Sequence, residues 1–150
     1  MGNNGDGAES SLDELLANSR ASLDRLDPSA VPDALKRGAH LVDIRPEFQR
    51  RRDGEIPGAI VIERNHLEWR LHPVGSARIP EAVDFDVPWI ILCDEGYASS
   101  LAAATLHQLG LPRATDVVGG FQAWRQASLP HGPPGVVSQP RLAFAATNAR

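Results

Sequence analysis

The sequence is poor in cysteine, since Cys93 is the only one among 150 residues. An internal disulfide therefore cannot form, and a Cys-x-x-Cys redox pair or a zinc site built from several cysteines is excluded. We expect neither a metal nor a cofactor. Any thiol chemistry of this chain depends on Cys93, and a group bound to that sulfur must leave to an outside molecule.

Long apolar runs and excess positive charge are also missing. No stretch approaches the roughly 20 apolar residues that span a bilayer, and the acidic, Gly/Asn-rich N-terminus lacks the parts of a signal peptide. We therefore expect a cytoplasmic protein with no membrane partner. The formal charge of −4 resides in residues 1–27. The remainder is neutral, so it offers no excess of positive charge for binding nucleic acid. The one basic run, 50–52, lies beside Asp53 and Glu55, which favours a solvated helix face.

Local composition divides the chain into four parts. Residues 1–10 are Gly/Asn-rich and predict a disordered N-terminus. Residues 11–28 predict an N-terminal helix, with leucines near one face and a proline that closes it. Residues 29–128 form the candidate domain. Residues 129–150 are dominated by Pro, Gly and Ala, and they predict an extended or disordered tail.

The candidate domain alternates short apolar runs with helical patterns. Strands are predicted over 40–44, 59–62, 87–92 and 115–118, and helices over 31–37, 47–52, 100–109 and 121–126. This alternation is typical of an α/β domain with a small, mostly parallel sheet that is flanked by helices on both faces. Ligands of such sheets bind beyond the carboxyl ends of the strands.

Cys93 lies at the carboxyl end of the strongest predicted strand. The segment 93–99, C-D-E-G-Y-A-S, joins that strand to a helix and is too polar for a packed interior. Backbone N–H groups of a loop curled in this way make an anion-binding nest, which favours the thiolate form of a cysteine at its first position. Gly96 permits a left-handed backbone in mid-loop. A small buried structural cysteine is the alternative interpretation.

Four segments together resemble the rhodanese family of sulfurtransferases. They are V-D-I-R at 42–45, G-E-I-P-G-A at 54–59, the loop at 93–99, and G-G-F-Q-A-W at 119–124. Their order and spacing are similar to those of a single-domain rhodanese over about residues 29–128, so a rhodanese-like fold is expected.

The resemblance implies a sulfurtransferase. Cys93 would take a sulfane sulfur from thiosulfate or a persulfide, hold it as its own persulfide, and pass it to cyanide or a thiol. The partners would be small-molecule donors and acceptors, or a protein persulfide. The resemblance also makes Asp43 and Arg45 an architectural ion pair. The backbone amides that would bind the substrate belong to Asp94, Glu95, Gly96, Tyr97, Ala98 and Ser99.

The sequence departs from the family pattern at Glu55 and in the Cys93 loop at 93–99. Glu55 stands where the family commonly has histidine, and we attach little to that change. The loop also lacks the basic residue that efficient thiosulfate users tend to carry, and a carboxylate about 7 Å from the sulfur opposes negative charge by roughly 0.6–2.4 kcal/mol. We therefore predict weak activity with thiosulfate. Three basic residues after the second strand are candidates for the missing charge, although a surface role is favoured for them: Arg64, His66 and Arg70.

Three other functions remain open. A cysteine phosphatase would need an arginine six positions after the cysteine, where this chain has Ser99. A non-catalytic rhodanese-like module could use the scaffold to bind a partner. A redox sensor would need only an exposed thiol of low pKa, but the chain has no second cysteine to resolve an oxidised one.

Overall fold

The structure, a computed structural model, describes the backbone of residues 4–142 and the side chains of residues 11–142. Within that range the four strands are β1 His40–Asp43, β2 Ile60–Val61, β3 Trp89–Leu92 and β4 Thr115–Asp116. The six helices are α1 Asn4–Arg20, α2 Val31–Lys36, α3 Glu47–Asp53, α4 Leu67–Leu71, α5 Ala98–Gln108 and α6 Gly120–Gln126. Apart from α1, each predicted helix and strand is found within a few residues of its expected ends.

The strands form one parallel sheet in the order β2-β1-β3-β4. Val42 pairs with Ile60 on one side and with Ile91 on the other, and Ile90 pairs with Thr115. Such a sheet is covered on both faces, which explains why β1 and β3 read as almost continuous apolar runs. The prediction of an α/β domain with a small, mostly parallel sheet is confirmed.

Two apolar clusters cover the sheet, because successive strand residues point to opposite faces. Val42 and Ile91 belong to one cluster, together with Leu106 of α5. Leu41 and Ile90 belong to the other, which also contains side chains of α6. Helix α5, which follows Cys93, and helix α6 therefore pack against opposite faces.

The N-terminal helix differs from its prediction at both ends. Helix α1 begins at Asn4, inside the segment predicted to be disordered, and ends at Arg20 rather than at Pro28. The chain then turns, and Leu26 forms a parallel bridge with Val117 beside β4. The leucine spacing within residues 11–28 predicts that Leu23 and Leu26 lie on a helix face. They instead pack against the core of the domain, which draws this segment out of the helix.

The segment 129–142 contains no helix or strand, but it is bonded to the domain. The carboxylate of Glu55 accepts hydrogen bonds from the Ser138 backbone N–H at 3.0 Å and from its hydroxyl at 2.8 Å. The Arg141 N–H donates to the Val61 carbonyl at 2.7 Å, and the Trp124 indole donates to the Pro130 carbonyl at 3.0 Å. Residues 143–150 of the predicted tail lie outside the described residues, and the division into domain and tail stays a prediction.

Arg50 and Glu55 correct two expectations about surface charge. The predicted solvated face does not include Arg50, whose side chain is 1% exposed and lies 2.6 Å from the Glu55 carboxylate. Arg50 also donates to the Ser138 carbonyl at 3.1 Å. The acid at position 55, which seemed unimportant in the sequence, therefore joins helix α3 to the segment 129–142.

Candidate active site

The Cys93 loop, residues 93–99, joins the carboxyl end of β3 to helix α5. The backbone N–H groups of Gly96 and Ser99 donate to the Cys93 sulfur, with N–S distances of 3.2 and 3.3 Å. The Ser99 hydroxyl oxygen lies 3.2 Å from the same sulfur. Two converging amide donors and the N-terminal end of an α-helix both favour a negative charge on this sulfur.

The thiol lies at the wall of a cavity. Cys93 is 6% exposed, yet it lines a cavity of about 340 Å³ whose walls combine apolar side chains with several charged ones. Arg45, Gln49 and Arg64 contribute to the walls. The sulfur is therefore not enclosed only by aliphatic neighbours, as the interpretation of a structural cysteine would require.

The seven predicted site residues lie around the Cys93 sulfur, and five of them line the cavity. Gly96 and Ser99 contact the sulfur through their amides. Tyr97, which is 59% exposed, walls the cavity with its side chain. The other lining residues of the loop are Asp94, Glu95 and Ala98. Whether these amides bind a substrate stays a prediction.

The backbone of helix α6 is hydrogen-bonded to the backbone of the Cys93 loop. The Phe121 N–H donates to the Cys93 carbonyl at 2.8 Å, and the Gln122 N–H donates to the Asp94 carbonyl at 3.0 Å. Gly120 makes this approach feasible, because a Cβ atom there would lie 2.5 Å from the Cys93 carbonyl oxygen. The G-G-F-Q-A-W segment therefore fixes the backbone from which the thiol projects.

Asp43 and Arg45 form a fully buried ion pair at the end of β1. The Arg45 Nη2 lies 2.8 Å from Asp43 Oδ2, and both side chains are 0% exposed. Nη2 also donates to the Gly54 carbonyl at 2.9 Å, and the guanidinium carbon lies 3.9 Å from the centre of the Phe121 ring. This geometry supports the architectural role that the resemblance implied.

The charges around the cavity differ from the sequence-based expectation. The Asp94 carboxylate accepts a hydrogen bond from Gln122 at 2.9 Å and lies 3.4 Å from Arg52, so its charge is partly offset. Arg64 was expected at the surface, but it lines the cavity while pairing with Glu68 at 3.0 Å. The cavity walls include neither His66 nor Arg70.

Sequence reasoning missed the groups behind the loop. Asp116, at the end of β4, is fully buried and accepts hydrogen bonds of 2.8 Å from the Ser99 and Ser100 hydroxyls. Arg25 pairs with it at 2.8 Å. The only available signal was an acidic residue within the apolar run 115–118, because nothing in the local sequence connects Arg25 with that strand.

Comparison with known proteins agrees with this geometry. The family model for the rhodanese-like domain matches residues 27–127. The chain belongs to the rhodanese-like family. A curated rhodanese-like relative, the thiosulfate sulfurtransferase GlpE of Pseudomonas aeruginosa, is 34% identical over 101 residues, which is 67% of this chain and 83% of the relative.

Two solved structures share the rhodanese-like fold. A Rhodopseudomonas palustris protein of unknown function, described as a possible tyrosine phosphatase, has a TM-score of 0.73 at 30% identity, covering 81% of this chain and 93% of its own. The homodimeric polysulfide-sulfur transferase of Wolinella succinogenes has a TM-score of 0.71 at 19% identity, covering 87% and 93%. The second likeness concerns the fold alone.

In the described part of this rhodanese-like chain, no helix has both the length and the hydropathy needed to cross a membrane. No group of three or more His, Cys, Asp or Glu side chains in the same part is arranged to hold a metal ion.

Proposed function

We propose that this protein is a sulfurtransferase that carries a sulfane sulfur as a persulfide on Cys93. The Cys93 thiolate attacks the outer sulfur of the donor and forms a new S–S bond. With thiosulfate, the old S–S bond breaks and sulfite leaves with its electron pair. An acceptor thiolate or cyanide then attacks the outer sulfur of the persulfide, and the Cys93 thiolate is released.

The observation that carries this proposal is the pair of amide donors on the Cys93 sulfur at the wall of an open cavity. A nucleophilic cysteine must be ionised near neutral pH, and the Gly96 and Ser99 N–H groups favour that state. In the persulfide the outer sulfur carries the negative charge. As part of this proposal, the remaining amides of residues 94–99 stabilise that charge.

The donor is thiosulfate or a persulfide, and the acceptor is a small thiol, cyanide or a protein thiol. Because Cys93 is the only cysteine, the chain has no second thiol to which the sulfur can be transferred internally. Each turnover therefore ends at a separate molecule.

Intact mass spectrometry tests the proposal directly. After incubation with thiosulfate or glutathione persulfide and removal of the donor, the wild-type chain is expected to gain the mass of one sulfur atom. Cys93→Ser is the control and should gain nothing. A subsequent addition of cyanide should remove the extra mass. An unchanged wild-type mass with both donors would contradict the proposal.

Thiosulfate is expected to be a poor donor, because acidic side chains border the cavity. We attribute most of this effect to Glu95, since Asp94 already pairs with Arg52. We predict that Asp94→Asn combined with Glu95→Gln lowers the KM for thiosulfate by about threefold or more, and that Glu95→Gln alone gives most of that change. Steady-state kinetics at low ionic strength measures this KM. A KM that stays constant or rises would contradict the electrostatic explanation.

A phosphatase activity is the second candidate, because one structural relative is described as a possible tyrosine phosphatase. The geometry disfavours it in this chain. Position 99 holds a serine whose hydroxyl bonds to Asp116, whereas a phosphate clamp at that position requires a guanidinium with two parallel donors. Hydrolysis of p-nitrophenyl phosphate that depends on Cys93 would reverse this assignment.

A further inference from the structure

The carbonyl of Gly96 is held by two arginines from the N-terminal segment. It accepts hydrogen bonds from Arg20 Nη2 at 2.8 Å and from Arg25 Nη2 at 3.0 Å. Both arginines precede residues 27–127, the part that matches the rhodanese-like family. This contact therefore joins a segment outside the matched domain to the middle of the Cys93 loop.

We propose that Arg20 and Arg25 are positioning residues that hold the Cys93 loop in the conformation that favours the thiolate. The inference deepens the proposed function and rests on it only for its effect on turnover. Neither arginine is among the residues that line the cavity, so both act through the loop backbone and Asp116.

The first route runs through the peptide groups on either side of Gly96. Its N–H donates to the Cys93 sulfur, while its carbonyl is held by the arginines. The next peptide is planar and trans, so the Tyr97 N–H points away from the arginines. Gly96 itself has a φ of +88°, and a Cβ there would lie 2.7 Å from the Gly119 nitrogen, so the loop has little room to shift. Fixing the carbonyl thus fixes the direction of the Tyr97 N–H, and the restricted backbone at Gly96 extends this constraint to the Gly96 N–H that donates to the sulfur.

The second route runs from Arg25 through Asp116 to the Ser99 hydroxyl. Arg25 donates to both carboxylate oxygens of Asp116, at 2.8 and 3.1 Å. Ser99 Oγ lies 2.8 Å from that carboxylate and 3.2 Å from the Cys93 sulfur, and it has one hydrogen to donate. When Cys93 is ionised, two anions compete for that hydrogen. By pairing with Asp116, Arg25 weakens one competitor and favours donation to the sulfur.

The third contribution is charge. The Arg20 guanidinium donates to the neutral Ser100 hydroxyl at 2.9 Å and to the Gly96 carbonyl, and it lies 5.6 Å from the centre of the Tyr97 ring. Its positive charge therefore acts behind the loop and opposes the acidic side chains in front of it. The charged groups around Cys93 are Arg45, Arg64, Asp94 and Glu95 at the cavity, Arg52 beside Asp94, and Arg20, Arg25 and Asp116 behind the loop.

The test measures the pH profile of Cys93 alkylation by iodoacetamide in the full chain, since this neutral reagent reports the thiolate without needing turnover. Arg20→Gln removes one donor to Gly96 and leaves the Arg25–Asp116 pair intact. We expect it to shift the alkylation profile to higher pH, with a severalfold lower rate at neutral pH. Arg25→Gln is expected to cause a larger loss, about tenfold, because it removes both a donor to Gly96 and the partner of Asp116. Arg20→Lys and Arg25→Lys should recover part of each loss.

Arg113→Gln is the matched control, because Arg113 is an exposed arginine that contacts Asp86. Its profile should equal that of the wild type. If Arg20→Gln and Arg25→Gln melt at lower temperature but keep the wild-type alkylation profile, the two arginines are merely structural and the inference is overturned. If Arg25→Gln does not fold, Arg20→Gln decides the outcome alone. The persulfide mass experiment is separate, so failure of sulfur loading with a shifted profile would contradict the proposed function and leave this inference standing.

Discussion

Replacing Gly120 by alanine is expected to destabilise the protein by about 3 kcal/mol or more and to slow alkylation of Cys93. Gly120 has a φ of +60°, and a Cβ there would lie 2.5 Å from the Cys93 carbonyl oxygen and 2.7 Å from the Asp94 carbonyl carbon. The left-handed backbone alone costs an alanine about 1–2 kcal/mol. The rest arises because the Cys93 loop must move away from helix α6, which weakens the bonds that orient the thiol.

Thermal unfolding and the iodoacetamide rate measure the two effects. A loss of 3 kcal/mol corresponds to a melting temperature lower by about 10 °C in a domain of this size. Gly38→Ala is the matched control, since Gly38 has a φ of +104° but a Cβ there would meet nothing within 4 Å. If the two variants lose the same stability and alkylate at the same rate, the close approach of helix α6 to the loop has no energetic importance.

Replacing Glu55 by glutamine is expected to cost about 2–3 kcal/mol and to release the segment 129–142. The change removes the charge that balances Arg50, whose side chain is almost fully buried, and breaking a pair of this kind is strongly destabilising. Glutamine keeps one oxygen for the Ser138 donors, which limits the loss. Limited proteolysis should cleave the variant within 129–142 faster than the wild type. Glu47→Gln is the control, because Glu47 and Arg51 form an exposed pair that should contribute little.

The same contact predicts how the wild type responds to acid. Burial raises the pKa of Glu55, but the Arg50 guanidinium and the Ser138 donors outweigh it and leave this pKa below its ordinary value. The stabilisation is therefore present above the pKa of the unfolded chain, about 4.3, and is lost as the pH falls through the lower folded value. Cleavage within 129–142 should accelerate in wild type below about pH 4, using a protease active there. Equal acceleration in Glu55→Gln would show that another group is responsible.

The buried strands of the domain could be predicted because the sequence patterns that indicate them are local. The runs 87–92 and 115–118 are apolar and short, and they end at turn residues, so their identity as buried strands follows from a few neighbouring positions. Helix α1 was harder to predict. Its leucine spacing fits a helix as far as Leu26, but whether a leucine packs on a helix face or in the core of a domain depends on contacts distant in sequence.

The candidate site also has one part that could be predicted from the sequence and one part that could not. The Cys93 loop is one contiguous segment, so both the thiol and its amide donors could be predicted from position. The groups behind it could not, because Arg20 and Gly96 are 76 positions apart and Arg25 and Asp116 are 91 apart. Arg50 shows the reverse case: it lies in a run of three arginines that suggests solvation, yet its buried guanidinium has partners in Glu55 and Ser138.

The bond between the Trp124 indole and the Pro130 carbonyl gives the chain an intrinsic optical probe. Its three tryptophans occupy distinct surroundings, since Trp69 is 62% exposed, Trp89 is fully buried, and Trp124 is 3% exposed beside the start of the segment 129–142. Iodide quenches the exposed indole and spares the other two. After quenching, a red shift of the remaining emission reports the separation of the segment 129–142 from Trp124, without labels and without modifying Cys93.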